Sequence, residues 1–407
     1  VRIAIVHPYP VHQRAVGGTT RVYALVRHLA ARHELHVFAH AHGNPEEEQQ
    51  AIRELGELGV VQRVIPRPAN SWLVKARWVF DRSPYFLHHN RSPMLESALA
   101  ELDRERGLDV AHVEFDFLEP LLGGLSQNCA RVLAEQELMS VSIDRLRKVQ
   151  RRHKSVYDHY ISLELPRVRA FEASTLRRFD RLFGINEGEA ARMAAVSGRS
   201  VEVLPHVVDT RVFTPGDAPP VRHCVLFVGN YDHKPNVDAA FWLMEQVWPA
   251  VRRRVPAATV RLVGPGLDAG RRTALERLGA EVAGRVEDLV GAYREAMVFA
   301  NPIHSGGGMR GKVLEAFACG VPVVSTTIGL EGVAAHPGED CERADEAEPF
   351  ADAIVRLLGD PAACRARAGR ALALVSERYD ARLVMGRLES AFEEAHAHRR
   401  ADAGATA

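Results

Sequence analysis

Apolar residues along this chain fall into short blocks separated by stretches of helical period. Residues 3–6 form an apolar block that predicts a buried strand. A loop through Pro8, Pro10, Gly17 and Gly18 follows, and the apolar spacing over 20–33 predicts a helix. A second block at 35–39 returns at the distance a parallel crossover needs. Further blocks at 60–65, 110–113, 132–134 and 182–185 alternate with polar helices, the pattern of a parallel, doubly wound sheet.

The rhythm restarts in the second half. Residues 225–228 predict a strand ending in Gly229, and a helix is expected over 236–255. Strands follow at 259–263, around Val282, at 298–301 and at 321–325, and a long helix is expected over 381–398. The Pro- and Gly-rich stretch 204–220 reads as a linker. The expected division is a first α/β domain over 1–204, with 381–407 crossing back to it, and a second over 205–380. Two such domains would place a ligand cleft at the C-terminal edges of their sheets.

Composition narrows the class. Of 407 residues 46% are hydrophobic, and 52 Lys and Arg balance 52 Asp and Glu. That balance suits a globular chain and argues against a nucleic-acid partner. The five cysteines never form a C-x-x-C pair, so they are expected as free thiols in a reducing cytoplasm. The first residues enter a strand without a leader-like pattern, and no apolar stretch reaches the roughly 18 residues of a membrane span. Between 138 and 181, eleven basic residues face five acidic ones, and Trp72, Trp78, Phe80, Tyr85 and Phe86 interleave with Lys75, Arg77 and Arg82. Such regions allow peripheral contact with an anionic inner membrane face, or with a lipid-linked or glycan acceptor; a solvated helical face has the same composition.

The stretch 302–320, PIHSGGGMRGKVLEAFACG, carries the most chemistry. A strand ends, His304 and Gly306, Gly307, Gly308 and Met309 form a loop, and a helix begins near Arg310. A glycine loop entering a helix offers bare N–H groups to an anion. Arg310 and Lys312 are cations at the helix end that disfavours them, which an anion would offset. Glu315, one turn in, can accept two hydroxyls, as a ribose diol supplies. Together these features suit a nucleoside diphosphate.

This stretch resembles the donor signature of family 4 glycosyltransferases, which have the GT-B fold. The similarity extends to Leu204-Pro-His-Val-Val-Asp-Thr-Arg-Val-Phe-Thr-Pro215, Phe227-Val-Gly229, Gly284-Arg-Val286, Gly329-Leu-Glu-Gly332 and Gly17-Gly18. A branch with "PN-x-D" and "G-G-G-x-R-x-K-x-L-E-A" is closest in pattern. The resemblance implies a retaining, metal-independent transferase that moves a sugar from a nucleotide-diphosphate sugar to a glycan, lipid-linked or small-molecule hydroxyl acceptor. It needs no cofactor. Glu315 matches the second glutamate of the family's E-x(7)-E motif, and the first falls on Gly307. The family's pyrophosphate-binding Arg and Lys fall on Asn230 and Pro235, so Arg310 and Lys312, helped by Lys234 or His233, are expected to take that charge. Val286 sits where backbone groups meet the base. Glu114 replaces a family histidine and is expected to face the ligand as a catalytic group, while Gln136 replaces another. A catalytically silent sugar-nucleotide binder and a sugar-nucleotide epimerase are the alternatives.

Overall fold

The computed structural model describes residues 1–12, 18–67, 83–150, 156–306 and 310–406. The chain divides into two compact units, Val1–Pro205 with Met385–Ala407, and His206–Val384. The boundary between the last two segments falls inside the C-terminal helix Ala381–Thr406.

The first unit holds seven strands: β1 (Arg2–His7), β2 (Glu34–His40), β3 (Val61–Ile65), β4 (Val110–Glu114), β5 (Ala130–Glu135), β6 (Arg181–Gly184) and β7 (Glu202–Val203). They lie in the order β3-β2-β1-β4-β5-β6-β7, every pairing parallel. Both faces of such a sheet are covered by helices, which is why Ile3, Ala4, Ile5 and Val6 are all fully buried rather than alternating. The helix expected over 20–33 runs Gly18–Leu29.

The second unit repeats the plan with β8 (Cys224–Val228), β9 (Thr259–Val263), β10 (Glu281–Gly284), β11 (Val298–Asn301), β12 (Val323–Ser325) and β13 (Glu342–Arg343), in the order β10-β9-β8-β11-β12-β13. Its core packs Phe227, Tyr231, Leu243, Trp248 and Phe350 between sheet and helices. The strand order reverses between β8 and β11, and ligands of doubly wound sheets bind beyond the strand ends at that point. The described segments leaving these two neighbouring strands are 229–233 and 302–306.

Two departures from the sequence pattern have simple causes. The helix expected over 236–255 starts at Lys234 and is interrupted by a π-turn, Leu243–Val247, before resuming as Trp248–Arg254. Pro249 has no N–H for the Glu245 carbonyl, so the ladder must widen there. The two-residue strands β7 and β13 carry no apolar block to announce them. Among the described residues, no helix is long and apolar enough to cross a membrane. All five cysteines are free and buried.

Candidate functional site

In the second unit the loop after β8 is shaped by backbone proximity. Gly264 has φ +133°, and a Cβ there would lie 1.8 Å from the Gly229 carbonyl oxygen, so the β9 turn can press on this loop only as glycine. Asn236 donates from Nδ2 to the Asn230 carbonyl at 2.7 Å, and the Asn230 side chain accepts from the Asp232 N–H at 3.0 Å. Asn230 therefore shapes the turn. Its amide replaces a family arginine without replacing the charge.

Asn236 also turns its Oδ1 toward the other loop, where Lys312 Nζ donates to it at 2.8 Å. The ammonium lies 4.9 Å from the centroid of the Phe227 ring, a cation–π contact. Burial, then the neighbouring Arg310, depress the Lys312 pKa from its usual value to about 7, with Glu315 opposing. Lys234, by contrast, forms an exposed ion pair with Asp238 at 2.6 Å, one helical turn on. Its spacing from Asp238 gives it the geometry of a solvated surface pair. His233 is exposed and does not cap its helix.

The helix Gly311–Ala318 follows the glycine-rich segment of the sequence. Glu315 is partly buried within it, and Tyr293 Oη donates to its Oε2 at 2.8 Å and to the Lys312 carbonyl at 3.2 Å. Among the described residues none bonds to Oε1, which leaves that oxygen for a ligand hydroxyl. Burial raises the Glu315 pKa, opposed by the Tyr293 hydroxyl and Lys312. Arg310 donates to the Gly306 carbonyl at 3.0 Å and reaches that of Ser305 at 3.4 Å, so its guanidinium braces the loop. Gly306 has φ +99°. His304 is held by the Pro302 and Asp345 carbonyls and packs on Trp242 with centroids 4.3 Å apart. Val286 is partly buried just beyond β10. Gly17, Gly307, Gly308 and Met309 lie outside the described residues, and Gly18 opens its helix.

The sequence reading missed Tyr293, Asn236 and His206 as parts of this site. His206 Nε2 stands 3.1 Å from where a Cβ on Gly311 would be, against the start of the helix Gly311–Ala318. Tyr293 occupies an apolar-face position of the helix Leu289–Glu295, and nothing in its local sequence distinguishes it from a core aromatic.

In the first unit, the expectation that Glu114 faces a ligand is corrected. Strand side chains two apart point the same way, so Glu114 shares the inner face with His112, whose Nε2 lies 3.1 Å from Glu114 Oε1. The other carboxylate oxygen is paired with Arg21, which also donates to the Leu204 carbonyl at 3.0 Å. Glu114 is 1% exposed. Burial alone would raise its pKa, but Arg21 and His112 outweigh it and hold the carboxyl at about 2. It is a structural anion joining β4 to the first helix.

At the same strand edge Phe115 has φ +96°, stacks on Phe117 at 5.2 Å, and leads into buried Asp116, whose N–H donates to Glu135 at 2.7 Å. Burial, then Glu172 and Glu119, raise the Asp116 pKa to about 8. Burial, then Asp116, also pushes the Glu135 carboxyl up, so the folded Asp116–Glu135 pair holds an extra proton above the range near 4 where unfolded carboxyls titrate, and stability falls as pH rises toward 8. Asp116→Asn should therefore raise Tm at pH 8 and change it little at pH 4.5. Equal shifts at both values would contradict a protonated Asp116.

The described arginines of the basic stretch are mostly engaged inside the unit: Arg169 with Asp144, Arg178 with Glu119, and Arg181 with Glu202 and Glu394. The expected anionic-surface contact draws no support from them. Arg151, Arg152, Lys154, Trp72, Lys75, Arg77, Trp78, Phe80 and Arg82 lie outside the described residues.

Known proteins resemble this chain in sequence and in fold. The family model described as "Glycosyl transferases group 1" matches residues 222–360. D-inositol 3-phosphate glycosyltransferase of Acidothermus cellulolyticus is 33% identical over 222 residues, covering 47% of this chain and 48% of that protein. The GDP-mannose-dependent monoacylated alpha-(1-6)-phosphatidylinositol monomannoside mannosyltransferase of Corynebacterium glutamicum is 28% identical over 310 residues, covering 69% and 75%. The chain spans about half the length of two curated relatives it matches, and 75% of this third. Among solved structures, HepE of Anabaena in complex with UDP superposes with a TM-score of 0.69 at 14% identity, covering 97% of this chain and 100% of that one. The fold is GT-B, and residues 222–360 of this chain are similar to the family described as glycosyl transferases group 1.

Proposed function

We propose that this chain transfers a hexosyl group from a nucleoside-diphosphate sugar to a hydroxyl acceptor, with retention of configuration and without a catalytic metal. The carrying observation is the helix Gly311–Ala318, which sets Glu315, with one oxygen held by Tyr293, one turn from Lys312 and Arg310, directly after the glycine run of the sequence. In this reading Glu315 takes the ribose diol. Arg310 and Lys312 stabilise the diphosphate as the glycosidic bond breaks, when its charge grows. The departing phosphate oxygen accepts the proton of the acceptor hydroxyl, so no protein base is required. That role fits the withdrawal of Glu114 into an ion pair.

The names of the relatives refer to inositol-phosphate and phosphatidylinositol-mannoside substrates. A polyol or glycan acceptor, soluble or lipid-linked, is proposed here in the same sense. Five free buried cysteines suit work in a reducing cytoplasm.

The test is incubation with a panel of UDP-, GDP- and ADP-sugars plus candidate acceptors, measuring released nucleoside diphosphate and the anomeric configuration of the product. It is run with and without a chelator, well below the unfolding temperature. Turnover with retention in both arms is expected. Binding without turnover for every donor would leave a nucleotide-sugar-binding protein, and loss of turnover with the chelator would refute metal independence.

A further inference from the structure

In the first unit, His33, Glu389 and Glu393 bring one ligand atom each within 4.8 Å of one another. His33 follows the helix Gly18–Leu29, and the two glutamates sit one turn apart on one face of the C-terminal helix, in the part that belongs to the first unit. His33 Nε2 lies 2.7 Å from Glu389 Oε1, and its Nδ1 is buried with no hydrogen-bond partner, so Nε2 is the ring atom that anchors it. Glu389 Oε2 is fixed by Arg32 at 2.7 Å and His28 at 3.0 Å.

Ion pairing explains Glu389. It does not explain Glu393, which has no hydrogen bond or ion pair to any described residue yet brings a second carboxylate beside the first. A bound cation would give Glu393 the partner it lacks. An imidazole with two carboxylates suits a borderline transition ion better than Mg²⁺ or Ca²⁺. Arg32 and His28 then play the outer role that orients a ligating carboxylate. The exposed side at Glu393 leaves room for water to complete the coordination.

We propose that His33, Glu389 and Glu393 bind one divalent transition-metal ion of the Zn²⁺ type, which fastens the C-terminal helix to the rest of the first unit. Binding displaces any proton carried on His33 Nε2 and changes no oxidation state. The site shares no residue with the donor loop, so it stands independently of the transferase reading.

The test uses the full chain, stripped with a chelator and dialysed, then titrated with ZnCl₂ by calorimetry and followed by thermal unfolding. Glu393→Gln removes a ligand but none of the described hydrogen bonds, so it should fold as the parent does. One equivalent of Zn²⁺ is expected to bind the parent and raise its Tm. In Glu393→Gln the affinity should fall at least about tenfold, and in His33→Asn the Tm response should vanish. Isotherms that coincide for the parent and Glu393→Gln, or a Tm unmoved by Zn²⁺ in the parent, overturn the proposal.

Discussion

Glu315→Ala should weaken nucleoside-diphosphate binding by about 10- to 100-fold, the loss of one or two hydrogen bonds to a charged acceptor at ~1.5–3 kcal/mol. The cost has two sources. The ligand loses Oε1, the oxygen that no described residue occupies, and Tyr293 loses its acceptor at Oε2. Tyr293 is fully buried, so its hydroxyl would be left with only the longer bond to the Lys312 carbonyl. Tyr293→Phe separates the two: it keeps the carboxylate but frees its orientation, and binding should fall by less than in Glu315→Ala. Arg310→Ala should behave differently, lowering kcat by about 100-fold with a smaller change in donor affinity, because its charge gains value as the bond breaks. Calorimetry with the nucleoside diphosphate, beside single-turnover rates, distinguishes them. If the two variants lose binding equally and kcat is untouched, the division of roles between Glu315 and Arg310 is wrong.

The strands were legible because each is an apolar block of a parallel sheet covered on both faces, and such blocks need no partner to be recognised. Glu315, Arg310 and Lys312 were legible because a single strand-loop-helix segment carries them. Tyr293 and Asn236 were not, since each acquires its role by reaching a residue 22 or 76 positions away. Asn236 looked like one letter of a turn motif, and only packing of the loops after β8 and β11 shows it as the partner of Lys312. Glu114 misled for the opposite reason. Its position at a strand end matched a family histidine, but the period of two tied it to His112, and Arg21, 93 residues upstream, took its charge. Local pattern therefore identified the elements and brought Arg310, Lys312 and Glu315 into one segment. Pairings across the sheet edge decided which charged side chains remain for a ligand.

Lys312 yields the other large effect, a donor affinity that depends on pH. With the ligand-free pKa near 7, half of the molecules carry an uncharged amine at neutral pH. A diphosphate beside the amine favours the ammonium and should raise its pKa well above 7, so binding takes up a proton. The dissociation constant should then grow about tenfold per pH unit above 7, or roughly 30-fold between pH 6 and 8.5. Folding stability has the reverse sign. The unfolded lysine titrates near 10.4 and the folded one near 7, so between these values the unfolded chain binds more protons, and this group's contribution to stability rises with pH. Lys312→Met keeps the stem over Phe227 and removes the charge. It should flatten both curves, weaken binding most at pH 6, and differ progressively less from the parent as pH rises toward 8.5. Calorimetric titration of a nucleoside diphosphate in two buffers of different ionisation enthalpy measures the affinity and the proton uptake together. A parent affinity constant from pH 6 to 8.5, with no proton taken up, would show that Lys312 is charged before the ligand arrives.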